Sequence, residues 1–458
     1  TEWLQTTTTH VMETTGKNYA KLMQIFSLIP NSMQYEPNDQ IGIPWDLNKI
    51  AQLLFFIALS ATVVCLICAR TKAKRWWIGG LGLLLSAVLL TGYFIPVSVP
   101  VMDLSAASET ADTTYYDMIH KDCQKDEAAD FRVKKYQLDF SVGLNLTGSA
   151  KVYVDRSELK SYRFTLYHGY KVKQVTDQTG AALDFRREYD YVTVTRGGAD
   201  VEYLCLEYTG KSPKYYSSYA GVCLPANFAY YPIPGYRELF KDSFYGFIDC
   251  SLPYDTAFDV RCSGRKQMYC NLAARGNNHF AGNARSITLL SGYYDTLKLN
   301  DTLVVYPKYA DGEIRARIKK NMGTFTKEHR DIHTIFIMDA DNLTPYEHLR
   351  SYDGYVVTNS MIDMEQSYFE SQIDISKLHF YKMFVYYYNE KVDREELEQL
   401  KQSEDPEEYP MVQIILKLSA SKNREAAAAE TEQYLTNSKD TRAPMTFLQE
   451  LGEKYAKA

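Results

Sequence analysis

The chain has 458 residues, enough for two or three folding units, and 57 acidic against 51 basic side chains leave a formal net charge of −6 at pH 7. That balance provides no general basic footprint and argues against nucleic acid as a partner. Tyrosine is unusually frequent at 38 residues, in clusters such as Tyr230-Tyr231 and Tyr386-Tyr387-Tyr388. Such residues suit half-buried strand positions first, and carbohydrate or peptide contact second.

Thr1–Pro30, within an expected outer segment 1–47, carries no basic n-region, apolar h-region or small-residue cleavage site and does not read as a signal peptide. With Thr1 in place of a starting methionine, the expectation is a piece of a longer chain. Tyr19–Ile29 reads as a short amphipathic helix outside the membrane, and Pro30, Pro37 and Pro44 break the chain after it.

Two uncharged apolar runs follow, Ile50–Ala69 and Ile78–Val99. A helix rises about 1.5 Å per residue, so roughly 20 residues cross a hydrocarbon core of about 30 Å. The spacing predicts a membrane hairpin over 48–99, with helices at 50–69 and 78–99 and a loop at 70–77. Arg70, Lys72, Lys74 and Arg75 lie in that loop, whereas the flanks Asn31–Asn48 and Met102–His120 contain no Lys or Arg. By the positive-inside rule the loop is cytoplasmic and residues 1–47 and 100–458 face outward, in a multi-pass protein of the cell membrane. Trp45, Trp76, Trp77 and Tyr93 stand where interfacial aromatics anchor helix ends. Cys65 and Cys68 fall within the first run and read as small apolar packing residues.

A linker is expected over 100–130. From Phe131 the pattern turns to period two: Tyr136, Leu138, Phe140, Val142, Leu144 and Leu146 alternate with polar neighbours. Further strand candidates are 150–154, 162–167, 172–176, 191–195, 201–208, 258–262, 268–272, 286–291 and 302–306. Turn chemistry separates them, as in Asp177-Gln-Thr-Gly180 and Arg196-Gly-Gly198. Many short strands without intervening helices predict an outer antiparallel β-sandwich over 131–308. Residues 309–458 read as a mixed α/β or α+β unit. It has a charged helix at 313–329, short strands at 334–338 and 355–358, and a strand or helix end at 383–388. Helices are expected at 393–402, at 422–435 with its four-alanine run, and from Pro444 to Leu451. The outer cysteines Cys123, Cys205, Cys223, Cys250, Cys262 and Cys270 show no paired zinc spacing. Cys250, Cys262 and Cys270 are close enough in sequence to be disulfide partners in an oxidising exterior, with connectivity open.

The block Tyr136–Tyr167, then Gly210-Lys-Ser212, 224–233 and Ile287–Gly292, resembles the amino-terminal β-sandwich of M1-family aminopeptidases. More narrowly, it is similar to bacterial ABC-2-type transporter permeases that carry such a region behind their membrane helices. The resemblance covers roughly 131–390. It implies H-E-x-x-H on a helix, whose two histidines and a later glutamate hold zinc. No H-E-x-x-H occurs in the chain. His329-Arg-Asp-Ile-His333 has the histidine spacing with Arg330 in place of the glutamate, and Lys377–Lys382 offers only His379. Met364-Glu365-Gln366 is a partial match to the family's G-x-M-E-N and lacks its glycine and asparagine.

Other constellations are equally incomplete. Gly16-Lys17 is not a phosphate-binding loop, His120 and Cys123 have acidic surroundings, Asp339 and Asp341 read as solvated, and no serine has a G-x-S-x-G elbow. Together these lead to an expectation of a non-enzyme, a pseudo-peptidase outer domain with no cofactor, metal or catalytic residue. The resemblance implies a permease subunit of an ABC-2-type exporter. Its partners would be a cytoplasmic ATP-binding subunit, a second permease half, the lipid bilayer and an unknown transported substrate. An anchored binding or signalling module is the alternative, and an anchored metallopeptidase a more distant one.

Overall fold

The computed structural model describes residues 47–69, 71–92, 112–212, 214–241, 246–308, 311–338, 349–359, 364–373, 375–389, 397, 400–401, 408–437 and 439–455. The chain divides into two units, one comprising Thr1–His348 with Tyr352–Met361, the other Leu349–Ser351 with Ile362–Ala458.

The first unit begins with two helices, α1 (Leu47–Cys68) and α2 (Lys72–Gly92), both long and apolar enough to cross a membrane. They pack as an antiparallel pair through small and polar residues. A side chain at Gly82 would collide with Thr62, and one at Gly92 with Ala51. Asn48, Gln52, Phe55 and Thr62 of α1 and Ser86 of α2 are buried, while Val64, Ile67, Leu81, Leu83 and Leu84 are more than half exposed. α2 starts at Lys72 and not at Ile78, so the expected loop 70–77 is mostly helix. Thr71 explains the early start: its Oγ1 accepts the Lys74 N–H at 3.4 Å and its carbonyl accepts that of Arg75 at 3.1 Å, the bonding of a helix cap. α2 is described as far as Gly92, and the remainder of the expected helix, 93–99, lies outside the described residues. Arg70, Trp45, Tyr93 and the expected helix at 19–29 lie outside the described residues.

Residues 112–130, expected to be linker, instead join the domain. A π-helical turn, Thr114–Ile119, places Tyr116 in the main hydrophobic core. Sixteen strands follow: β1 (Val133–Val142), β2 (Leu146–Val154), β3 (Ser161–Thr165), β4 (Tyr170–Thr176), β5 (Phe185–Glu188), β6 (Tyr191–Thr195), β7 (Tyr203–Gly210), β8 (Val222–Leu224), β9 (Ile233–Pro234), β10 (Thr256–Ser263), β11 (Tyr269–Cys270), β12 (Ala273–Gly276), β13 (His279–Ala284), β14 (Leu289–Ser291), β15 (Tyr294–Leu299) and β16 (Thr302–Pro307).

One sheet has seven strands in the order β12-β13-β10-β1-β2-β7-β4, and a second has four, β5-β6-β3-β9. Their facing residues, Leu138, Val152 and Leu206 from the first and Phe164, Val192 and Val194 from the second, share one core. A three-stranded sheet, β11-β14-β8, lies beside them.

Three features depart from the expected sandwich. β1 pairs with β10 in parallel, so the sheet is not purely antiparallel. The alternation over 136–146 spans a hairpin, with Leu144 in its turn and 47% exposed, because period two survives a three-residue loop. β15 and β16 leave the sandwich for another sheet. After α3 (Asp311–Met322) and α4 (Phe325–Glu328) come β17 (Thr334–Ile337), β18 (Leu349–Tyr352) and β19 (Tyr355–Thr358), and β16, β17 and β19 pair in parallel. Each of these last three presents a run of buried residues, as strands covered on both faces do.

From 309 onward the described residues hold α3, α4 and β17–β19, and from Met364 the second unit is helical in its described part. It holds α5 (Met364–Ser371), α6 (Ile375–Asn389), α7 (Glu408–Ser419), α8 (Arg424–Thr436) and α9 (Pro444–Tyr455). Phe380, Phe384, Val412, Ile415, Leu435 and Leu448 form its core. The aromatic run 383–388 is the end of α6, one of the two expected alternatives, and Pro444 opens α9, where its missing N–H costs nothing.

Candidate functional site

The histidines compared with the zinc motif do not come together. α4 ends at Glu328, so His329 and His333 do not share a helix face; His329 packs on Phe325 at 4.5 Å, and the exposed His333 leads into β17. His379 is exposed on α6. Among the described residues no three His, Cys, Asp or Glu side chains cluster as a metal site. All eight cysteines are free thiols, so Cys250, Cys262 and Cys270, close enough in sequence to have been partners, are unbridged. These three are buried, and burial pushes the Cys270 thiol up to about 12 and raises that of Cys262 as well, so both are inert packing groups at neutral pH.

The densest constellation of buried titratable groups was missed from the sequence. β3 runs into Leu166, Tyr167 and His168, and the two-residue turn between β5 and β6 presents Asp190 to them. Tyr189, at φ 55°, takes the left-handed conformation that this tight turn requires. The Asp190 carboxylate accepts the backbone N–H of His168 at 2.6 Å and lies 3.4 Å from its Nδ1. On the other side, Asp112 Oδ1 accepts the Tyr167 hydroxyl at 2.5 Å and lies 3.9 Å from His168 Nε2. The Tyr116 hydroxyl is 3.3 Å from His168 Nδ1, and the Tyr115 ring stacks on the imidazole with centroids 3.5 Å apart. Arg187 donates to the carbonyls of Leu166 and Tyr167 at 2.8 and 3.0 Å, holding the strand end in place.

Asp112 is 4% exposed, and its Oδ2 has no hydrogen-bond partner. Burial raises its pKa from 3.8 to about 6, opposed by the Tyr167 hydrogen bond and the charge of His168. Burial likewise holds the Tyr116 and Tyr167 phenols well above their ordinary range. Chemically the cluster holds the buried Asp112 carboxyl against the Tyr167 hydroxyl and beside the His168 imidazole. Structurally it fastens residues 112–119 to the sheets. The signals in the sequence were the pairs Tyr115-Tyr116 and Tyr167-His168 with two isolated aspartates, too far apart to be associated by spacing.

The second unit has its own cleft of about 540 Å³, floored by Phe369, Tyr381, Phe384 and Tyr388 and edged by Arg424 and Glu432. The Tyr388 hydroxyl donates to the Arg424 carbonyl at 2.5 Å, which ties α6 to the start of α8 across it. Of the predicted topology residues, Lys72, Lys74, Arg75, Trp76 and Trp77 are all exposed in the first turns of α2, the two indoles at 83 and 82%.

No protein-family model matches the sequence, and no curated protein matches it. Solved structures with a similar arrangement are M1-type enzymes. A substrate-bound variant of an M1 zinc metallopeptidase from Deinococcus radiodurans is 13% identical, with a TM-score of 0.33 over 67% of this chain and 76% of that one. The unmodified enzyme is 11% identical, with a TM-score of 0.34 over 72% and 88%. Native leukotriene A4 hydrolase from Saccharomyces cerevisiae is 11% identical, with a TM-score of 0.39 over 75% and 69%. Likeness at this level assigns neither chemistry nor substrate. The expectation of a non-enzyme is corrected to this extent: the solved chains of similar arrangement are enzymes. The transporter part of the expected resemblance has no counterpart in these comparisons.

Proposed function

We propose that the chain is a membrane-spanning permease component of an ABC-2-type exporter, with its M1-peptidase-like region on the outer face of the membrane. The observation that supports this reading most is the polarity of the helix pair. In a soluble helical hairpin the apolar side chains are inside. Here Asn48, Gln52, Thr62 and Ser86 are buried between the helices and the bulky aliphatics point outward. Lipid accommodates that arrangement, because small and polar residues join helices where the surroundings are themselves apolar. Two helices cannot enclose a pathway, so the reading calls for further spans, a second permease half and a cytoplasmic ATP-binding subunit. The outer region would contact or sense the exported substrate.

The aromatic cleft of the second unit favours one other reading, an anchored binding module. Purification from native membranes in mild detergent distinguishes the two. A permease component retains an ATP-hydrolysing subunit in stoichiometric amount. An anchored module is recovered without one, and that outcome sinks the exporter reading.

A further inference from the structure

A single side chain, Arg75, lines two separate grooves at the turn between α1 and α2. One, of about 500 Å³, is completed by Val63, Leu66 and Ile67 of α1. The other, of about 270 Å³, is completed by Trp76, Gly79, Gly80 and Leu83 of α2. Arg75 is held at the junction because its Nε donates to the Ala69 carbonyl, at the end of α1, at 3.0 Å. Lys72, a turn away, and the adjacent Lys74 are exposed, and neither helix contains an acidic residue, so the pair supplies no anion to balance them.

We propose that this turn is a binding site for one anionic diacyl phospholipid, with the phosphate on Arg75 and one acyl chain in each flanking groove. The proposal rests on the reading of α1 and α2 as membrane-spanning. Its chemistry is complementary at both ends of the ligand. A guanidinium pairs with phosphate in bidentate fashion, and basic pockets between membrane helices suit anionic headgroups. The groove walls are aliphatic apart from the Trp76 indole, which belongs at headgroup depth. Gly80 keeps the second groove open: a Cβ there would meet nothing within 4 Å. A protein helix seated on the glycines would bury that groove but would leave the guanidinium unmatched and the α1 groove empty. One head with two tails accounts for one cation between two grooves.

The test uses the full chain in vesicles of phosphatidylcholine with a minor fraction of phosphatidylglycerol. Replacing Trp3 and Trp45 with Phe leaves Trp76 and Trp77 as the fluorescent reporters among the four tryptophans. Brominated acyl chains quench indoles they touch. The expected result is severalfold stronger quenching per mole by brominated phosphatidylglycerol than by brominated phosphatidylcholine. That preference should vanish in Arg75→Gln and also in Gly80→Leu, which fills the groove without disturbing the Gly82–Thr62 contact. Lys72→Gln should reduce it only in part. Equal quenching by the two lipids, or a preference that survives Gly80→Leu, overturns the site and leaves general charge attraction or a protein occupant. Absence of quenching in vesicles made wholly of brominated phosphatidylcholine overturns the membrane reading itself, and the site with it.

Discussion

Tyr208 is fully buried with its hydroxyl 2.8 Å from the Tyr230 carbonyl, and the Tyr230 hydroxyl in turn lies 2.8 Å from the carbonyl of Ile287. Tyr136 does the same with Pro232 at 2.8 Å. These three tyrosines, of a type that read from composition as half-buried strand residues, are core: each fills volume and satisfies a carbonyl that water does not reach. Tyr230→Phe keeps the packing and strands the Ile287 carbonyl, so it should cost about 1–2 kcal/mol in denaturant unfolding. Asp112 acts in the opposite sense. Its pKa rises from 3.8 unfolded to about 6 folded, so the native state binds the extra proton. Its contribution is therefore fully present below about pH 4 and lost as pH rises through about 6. The penalty at neutral pH is of the order of 3 kcal/mol for a shift of this size. Asp112→Asn keeps an oxygen for the Tyr167 hydroxyl and removes the charge. Relative to wild type, the variant should gain stability as pH is raised from 4 to 7; parallel stability profiles would show that Asp112 does not titrate as described.

In the helical unit, Lys377 of α6 is 5% exposed and its Nζ donates to the carbonyls of Tyr434 and Asn437 at 2.9 and 3.1 Å, lying over the Tyr434 ring at 4.2 Å. A buried ammonium thereby terminates α8 with the charge that a helix C-terminus favours. Lys377→Met should lower the stability of this unit by about 2–3 kcal/mol, the scale of charge-assisted bonds. Hydrogen exchange should speed up in α6 and α8 and stay unchanged in β1, β2 and β7; uniform acceleration would mean that the two units unfold as one. How legible such elements were in the sequence depended on how local their causes are. β6 and β19 lie where alternation or a bounded apolar run placed them, and α9 starts at the proline that marked it. Sheet membership was not legible. β16 looks like a sandwich strand, and only its pairing with β17 takes it elsewhere. The start of α2 was obscured because hydropathy registers Lys72–Arg75 as polar, whereas the Thr71 cap and ordinary helix propensity make those residues helical. The Asp112 cluster gathers residues 112, 116, 168 and 190 from separate elements, a proximity no sequence window contains.

Considered whole, the chain combines two apolar helices, a sheet-rich unit with a sandwich core and a smaller helical unit. The helices carry their bulky aliphatics outward, with Lys72, Lys74 and Arg75 at the turn between them and Lys49 at the start of α1. The segment after them is anchored into the sheet core by Tyr116 and the Asp112–Tyr167 bond. The most direct check of this account is side-specific labelling of single cysteines in intact cells and in permeabilised ones, on a background with the native thiols removed. A cysteine at exposed Lys74 should react with an impermeant maleimide only after permeabilisation, and one at exposed Arg186 should react in intact cells. Labelling of both positions from the same side, or recovery of the chain in the soluble fraction without detergent, would contradict a hairpin that holds the domain across the bilayer from its basic turn.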